Sequence, residues 1–168
     1  MQRVAILGNA GGGKSTLARR LHGQLGLPMF GVDEIQWRPG WTAAPEDEVR
    51  RQLMAIQASD RWVIEGIGPW DVVEDRVARA DTVVLVDLPV WMHHWLAAER
   101  MVAAADGSGP SERMPGCDEL AVRREMFELI DRFDRDLTPR LRDLVTRVEH
   151  AHVHHVTHLD ELDLVNPG

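Results

Sequence analysis

Tyrosine is absent from this chain, cysteine occurs once, at Cys117, and lysine occurs once, at Lys14. A single cysteine excludes an internal disulfide and fits a reducing, cytoplasmic setting. No apolar run is long enough to span a bilayer. The opening Met1-Gln2-Arg3-Val4-Ala5-Ile6-Leu7 lacks the long apolar region and small-residue cleavage site of a signal peptide. A soluble protein with no membrane partner is therefore expected. Basic residues are outnumbered, 19 Lys and Arg against 27 Asp and Glu, for a formal charge of −8. That balance argues against general nucleic-acid binding, which draws on clustered Lys and Arg.

What is present is ordinary for a globular chain: 44% hydrophobic and 27% charged residues over 168 positions, the size of one domain with a real core. Short apolar runs alternate with helical periodicities. Strands are expected at 2–8, 27–32 (ending at Asp33), 62–64 (ending at Glu65-Gly66), 82–86 (ending at Asp87) and 152–156. The run Thr82-Val83-Val84-Leu85-Val86 is wholly apolar, as suits the centre of a parallel sheet covered on both faces. Helices are expected at 14–25, 45–58, 70–80, 89–104, 118–149 with a break near Pro139, and 159–165. Pro39-Gly40 marks a turn. Residues 105–116 are Gly, Ser, Pro and charge without apolar periodicity, and read as a loop or lid. No repeat or linker divides the chain, so the pattern predicts one α/β sandwich over 1–168.

The segment Gly8-Asn9-Ala10-Gly11-Gly12-Gly13-Lys14-Ser15 matches the full Walker A pattern, between an apolar strand and an amphipathic helix. Each position has a physical task. Gly8, Ala10, Gly11, Gly12 and Gly13 are small enough for the backbone to turn its N–H groups inward, forming an anion nest with the following helix N-terminus. Lys14 would reach the β- and γ-phosphates, Ser15 would ligate Mg²⁺, and Thr16 would hold the α-phosphate side. The chain's only lysine thus falls inside the motif. No Asn-Lys-x-Asp base-reading motif is present, which favours ATP over GTP.

Three carboxylates follow apolar runs. In a parallel sheet the ligand site lies off the carboxyl ends of the strands, and phosphoryl transfer needs a base for the acceptor and a carboxylate near Mg²⁺. Asp33 and Glu65 are candidates for these roles, with turn or cap residues as the alternative. Asp87, followed by Leu88-Pro89, reads rather as a cap. Mobile arginines commonly neutralise the transferring phosphoryl group. The candidates here are Arg100, Arg113, Arg123, Arg124, Arg132 and Arg135, among 18 arginines that are mostly surface. All six tryptophans fall between Trp37 and Trp95. Trp62 reads as core, whereas Trp37, Trp41 and Trp70 suit an acceptor pocket or lid. His150, His152 and His154 would share one strand face, but no Cys or spaced acid completes a zinc site, and a polar strand face is the simpler reading. Cys117 has no His partner nearby in sequence to activate it.

The Walker A segment, Leu27-Pro28-Met29-Phe30-Gly31-Val32-Asp33, Trp37-Arg38-Pro39-Gly40-Trp41 and Trp62-Val63-Ile64-Glu65-Gly66 together resemble the adenylate-kinase-related P-loop kinase-like proteins. The Trp-x-Pro-Gly-Trp segment is the specific part, and it is similar to the group labelled DNA topology modulation proteins. The segment from Ala80 to Trp91 and the pair Gly116-Cys117 are similar too, so that the resemblance covers roughly 1–145. It implies a P-loop three-layer sandwich, with a five-stranded parallel sheet in the nucleoside/shikimate-kinase order and a helical lid at about 105–117. It also implies an ATP- and Mg²⁺-dependent kinase reaction on a small-molecule acceptor. By resemblance Asp33 matches the acceptor-side Asp of shikimate kinase, Glu65 the carboxylate that serves Mg²⁺ through water, and Arg100 a phosphate-binding Arg. Two departures stand out. Adenylate kinases follow the Asp-Gly pair with an Arg that grips the monophosphate. Here the run is Glu65-Gly66-Ile67-Gly68-Pro69-Trp70, leaving Arg38 as the substitute and tilting the acceptor towards a non-nucleotide. The lid tip from Ala105 to Glu112 carries no base, which leaves Arg113, Arg132 or Arg135 for the transition state. A bare lid also fits a nucleotide-binding regulator with little turnover, the alternative to a kinase.

Overall fold

The computed structural model describes residues 1–106, 108, 116, 117 and 123–166, with Arg123 described only in its backbone. Five strands form one parallel sheet: β1 (Arg3–Gly8), β2 (Met29–Gly31), β5 (Trp62–Glu65), β6 (Thr82–Val86) and β7 (His152–Val156). Their spatial order is β2-β5-β1-β6-β7. The apolar runs explain the centre of this sheet, because β1, β5 and β6 are buried on both faces and need side chains that pack in both directions.

Successive residues of a strand point to opposite faces, and β1 shows the consequence. Val4 and Ile6 pack with Leu17, Ala18 and Leu21 of α1 (Lys14–Leu25) and with Val156 and Val165. Ala5 and Leu7 join a second core on the other face. That core holds Val49 and Leu53 of α3 (Glu46–Gln57), Val72, Val73 and Val77 of α4 (Trp70–Arg79), Phe133 of α6 (Arg123–Asp136), and Leu141 and Val145 of α7 (Thr138–Thr146). Three layers result. The long helix α5 (Val90–Asp106) follows β6, and a 3₁₀ turn at Leu159–Leu164 closes the described chain. No helix among the described residues is long and apolar enough to cross a membrane.

One element differs from expectation, and an expected turn and an expected helix break take a more particular form. The second strand is only Met29–Gly31, and Asp33 lies in the first turn of a short helix, α2 (Val32–Gln36). Pro39-Gly40 is the tip of a small hairpin, β3 (Trp37–Arg38) against β4 (Thr42–Ala43). The helical stretch breaks at Leu137, between α6 and α7, so that Pro139 falls within the first turn of α7, where its missing N–H costs nothing. The expected loop at 105–116 and the start of the helix at 118 lie almost wholly outside the described residues.

Because every sheet strand runs the same way, all five carboxyl ends share one edge. The register brings Glu65 opposite both Ile6 of β1 and Gly31 of β2. Glu65 therefore stands between the start of the Walker A loop and the turn that leads to Asp33.

Candidate active site

The loop from Gly8 to Gly13 leaves β1 and enters α1 without a side-chain cap, and the first turn of α1 carries no acidic residue. The opening amides of α1 thus lack a side-chain cap, at the positive end of the helix, where an anion is favoured. The loop lies hard against its support. A Cβ on Gly8 would sit 2.2 Å from the Val86 carbonyl oxygen, and one on Gly12 would sit 2.8 Å from His93 Cε1 and 2.9 Å from Val86 Cγ1. Only glycine lets the backbone come this close. Buried Asn9 ties the loop down, its Nδ2 donating to the Ile130 carbonyl of α6 (2.8 Å) and its Oδ1 accepting from the Ala10 N–H (2.8 Å).

Lys14 Nζ donates to the Asn9 carbonyl at 2.6 Å, so the ammonium curls over the loop. Ser15 Oγ donates to Glu65 Oε1 at 2.7 Å. A hydroxyl and a carboxylate side by side, next to an anion nest, form the hard-oxygen pair that suits Mg²⁺ held jointly with phosphates. Thr16 is exposed one residue further along α1.

Asp33 comes into this cluster from α2. Solvent reaches it although protein surrounds it on most sides, as for a group lining a cleft. Burial pushes its carboxyl above the usual carboxylate range. Lys14 and Arg100 pull the other way, and Glu65 adds to the rise. Burial likewise lowers the Lys14 ammonium, which Glu65 and Asp33 support and Arg100 opposes. Lys14, Asp33, Glu65 and Arg100 therefore form one mutually interacting group, drawn from α1, α2, β5 and α5.

The other arginine candidates are placed differently. Arg132 is exposed on α6, where its charge acts on Asp136, and it is not among the charges that Lys14 and Asp33 feel. Arg135 is paired with Asp136 and Arg124 with Glu128. Arg113 and the side chain of Arg123 lie outside the described residues. Arg38, the substitute for a missing phosphate-gripping arginine, is bonded to Glu48 at 2.6 Å.

Asp87 is not a cap. Its buried carboxylate accepts two hydrogen bonds from Arg142 (2.7 and 2.8 Å) and one from His155 Nε2 (2.6 Å). Burial opposes its ionisation, but the bonds and charges of Arg142 and His155 outweigh that and hold its pKa below the usual range. The tryptophans do not form one pocket. Trp62 is core, Trp91 and Trp95 are 62% and 61% exposed on α5, and Trp37 meets Trp41 edge-on in the hairpin at 6.0 Å. Trp70 carries the Arg140 guanidinium 4.0 Å above its ring. His150 precedes β7 rather than sharing its face, and His155 serves Asp87. No group of three or more His, Cys, Asp or Glu among the described residues is arranged to hold a metal ion. The Cys117 thiol is buried and donates to the Arg38 carbonyl at 3.4 Å.

Two residues at the site escaped sequence reasoning. Arg76 is wholly buried, and its guanidinium donates to Gly66 O (2.7 Å), Ile67 O (3.0 Å) and Gln57 Oε1 (3.1 Å). Burial lowers its pKa to about 10, partly offset by Glu65, so it stays charged. It supports the loop after Glu65 from beneath. His93 is 2% exposed, and its Nδ1 lies 2.8 Å from the Ala10 carbonyl oxygen. The available signal was a polar residue inside an apolar helical stripe: Arg76 among Val72, Val73 and Val77, and His93 with Ala97 and Met101.

No protein-family model matches the chain, and no curated protein matches it. Solved structures do. The chain is similar to a shikimate kinase from Acinetobacter baumannii in complex with shikimate, at 17% identity over 98% of this chain and 90% of that one, with a TM-score of 0.54. It is also similar to a shikimate kinase from Bacteroides thetaiotaomicron, at 13% identity over 97% of this chain and 92% of that one, with a TM-score of 0.51. The fold is therefore the shikimate-kinase-like P-loop α/β fold. The DNA topology label finds no support in these two structures.

Proposed function

We propose that this protein is a P-loop small-molecule kinase, a single domain that moves the γ-phosphoryl group of ATP·Mg to an acceptor. The observation that carries the reading is the convergence of Lys14, the Ser15–Glu65 pair, Asp33 and Arg100 at the carboxyl edge of a parallel sheet. Gly8 to Thr16 would cradle the phosphates, and Ser15 with Glu65 would hold Mg²⁺. A magnesium ion there supplies charge neutralisation for the phosphates. Lys14 and Arg100 stabilise the charge that develops on the transferring group.

Asp33 orients the acceptor hydroxyl and takes its proton. The acceptor oxygen forms the new bond to the γ-phosphorus, the bond to the β-bridging oxygen breaks, and ADP leaves with that electron pair. A raised carboxylate pKa suits a base that works near neutral pH. The acceptor reads as a hydroxyl compound rather than a nucleoside monophosphate. Arg76 is spent on backbone carbonyls and Arg38 on Glu48, so neither is poised to grip a second phosphate.

The test is incubation of ATP·Mg with a mixed pool of nucleoside monophosphates, sugars and small alcohols, read by mass spectrometry. A new phosphate ester, absent with Lys14→Ala, is expected. Tight nucleotide binding with ATP intact across a broad pool would instead favour the regulator.

A further inference from the structure

We propose that His93 is a positioning residue of the phosphate cradle. By donating from Nδ1 to the Ala10 carbonyl, it fixes the Ala10–Gly11 peptide with its N–H facing the ligand side. The inference rests on the P-loop reading above.

A carbonyl oxygen can only accept, so the 2.8 Å contact places the imidazole proton on Nδ1. Burial lowers the His93 pKa, and Lys14 lowers it further, while the bond to Ala10 and the charges of Asp134 and Asp87 raise it. The net direction is down, towards the neutral ring, and the Nδ1 proton that the Ala10 carbonyl requires is present in that ring as in the charged one. In a trans peptide the C=O and the following N–H point in opposite directions. An Ala10 carbonyl held against His93 therefore turns the Gly11 N–H away from α5. The ring lies on the side of the loop that faces α5. A Cβ on Gly11 would meet the His93 carbonyl oxygen at 2.8 Å, and one on Gly12 would meet His93 Cε1 at the same distance. Lys14 Nζ, by contrast, closes over the loop on to Asn9.

The placement also links two functions of one helix. His93 lies two helical turns before Arg100, whose charge acts on Lys14 and Asp33. The first half of α5 thus backs the loop, and its second half reaches the cluster. A histidine that merely filled the core would need its bond satisfied anywhere. This one is satisfied by the loop whose peptide orientation sets phosphate binding.

Calorimetric titration with inorganic tripolyphosphate and with MgATP tests the proposal, alongside thermal midpoints. His93→Leu removes the donor at similar volume. It should weaken both ligands by about ten- to hundredfold, the scale of one charge-assisted hydrogen bond from the Gly11 N–H to a phosphate oxygen. His93→Asn, whose amide nitrogen stands in for Nδ1, should bind within about threefold of wild type. A purely packing role would lower the midpoint of His93→Leu and leave its tripolyphosphate affinity unchanged, and that result overturns the proposal. If His93→Leu does not fold, His93→Gln replaces it, since its longer side chain sets the amide elsewhere. Equal affinity in the Asn and Gln variants then overturns the proposal. Wild-type protein that binds neither ligand removes the P-loop reading and this inference together. Wild-type binding that the variants leave untouched removes this inference alone.

Discussion

Asp33 is asked to ionise in a place that disfavours ionisation. Its folded pKa is raised, so the folded chain holds the proton more tightly than the unfolded chain does, and ionising it costs stability as pH rises through that pKa. Asp33→Asn should lower phosphoryl transfer by about 10²–10⁴-fold, the usual worth of a general base. The same variant should raise the thermal midpoint at pH 7. That gain should shrink as pH falls and vanish below the ordinary carboxylate range, where Asp33 is protonated in both folded and unfolded chains. A midpoint that falls at pH 7 would mean that Lys14 and Arg100 outweigh burial at this site. In the wild type, the acid limb of kcat/KM should lie above the ordinary carboxylate range.

At the scale of elements, the edge of the sheet is held by a contact that spans the chain. Asp87 follows β6, His155 belongs to β7 and Arg142 to α7, so one buried carboxylate joins three elements. Arg142 and His155 are half exposed, which discounts their contribution for solvent screening. Asp87→Asn should still cost about 2 kcal/mol at pH 7, by loss of charge-assisted bonds to a buried acceptor. Because the Asp87 pKa is lowered, that stability is present above the ordinary carboxylate range and is lost as pH falls through the folded pKa. Urea midpoints for wild type and variant should therefore converge at acid pH. This contact also marks where sequence stopped being readable. The apolar runs of β1, β5 and β6 and the Gly13-to-Lys14 start of α1 announce themselves locally. Asp87 meets partners 55 and 68 positions away, with no local pattern to tell a cap from an ion pair. Asp33 sat in a helix rather than a strand end because Gly31 ends β2 early and the acids at 33 and 34 favour a helix start. His93 and Arg76 were hidden for the opposite reason: each falls in a clean helical stripe that reads as core.

Across the whole molecule, a chain with net charge −8 gathers Lys14 and Arg100 beside two carboxylates at one edge of its sheet. Such a cluster suits a polyanion bound with a divalent cation better than it suits a nucleic-acid backbone, which draws on many dispersed cations. The fold is common to many reactions and by itself names none; the fate of the γ-phosphoryl group distinguishes them. The direct measurement is ³¹P NMR of ATP·Mg with the protein and a pool of hydroxyl acceptors, with Lys14→Ala in parallel. The γ signal should be replaced by a phosphate-ester signal together with ADP, and Lys14→Ala should slow this by at least about a hundredfold. A γ signal that appears only as inorganic phosphate, at the same rate with and without acceptors, would contradict the kinase reading.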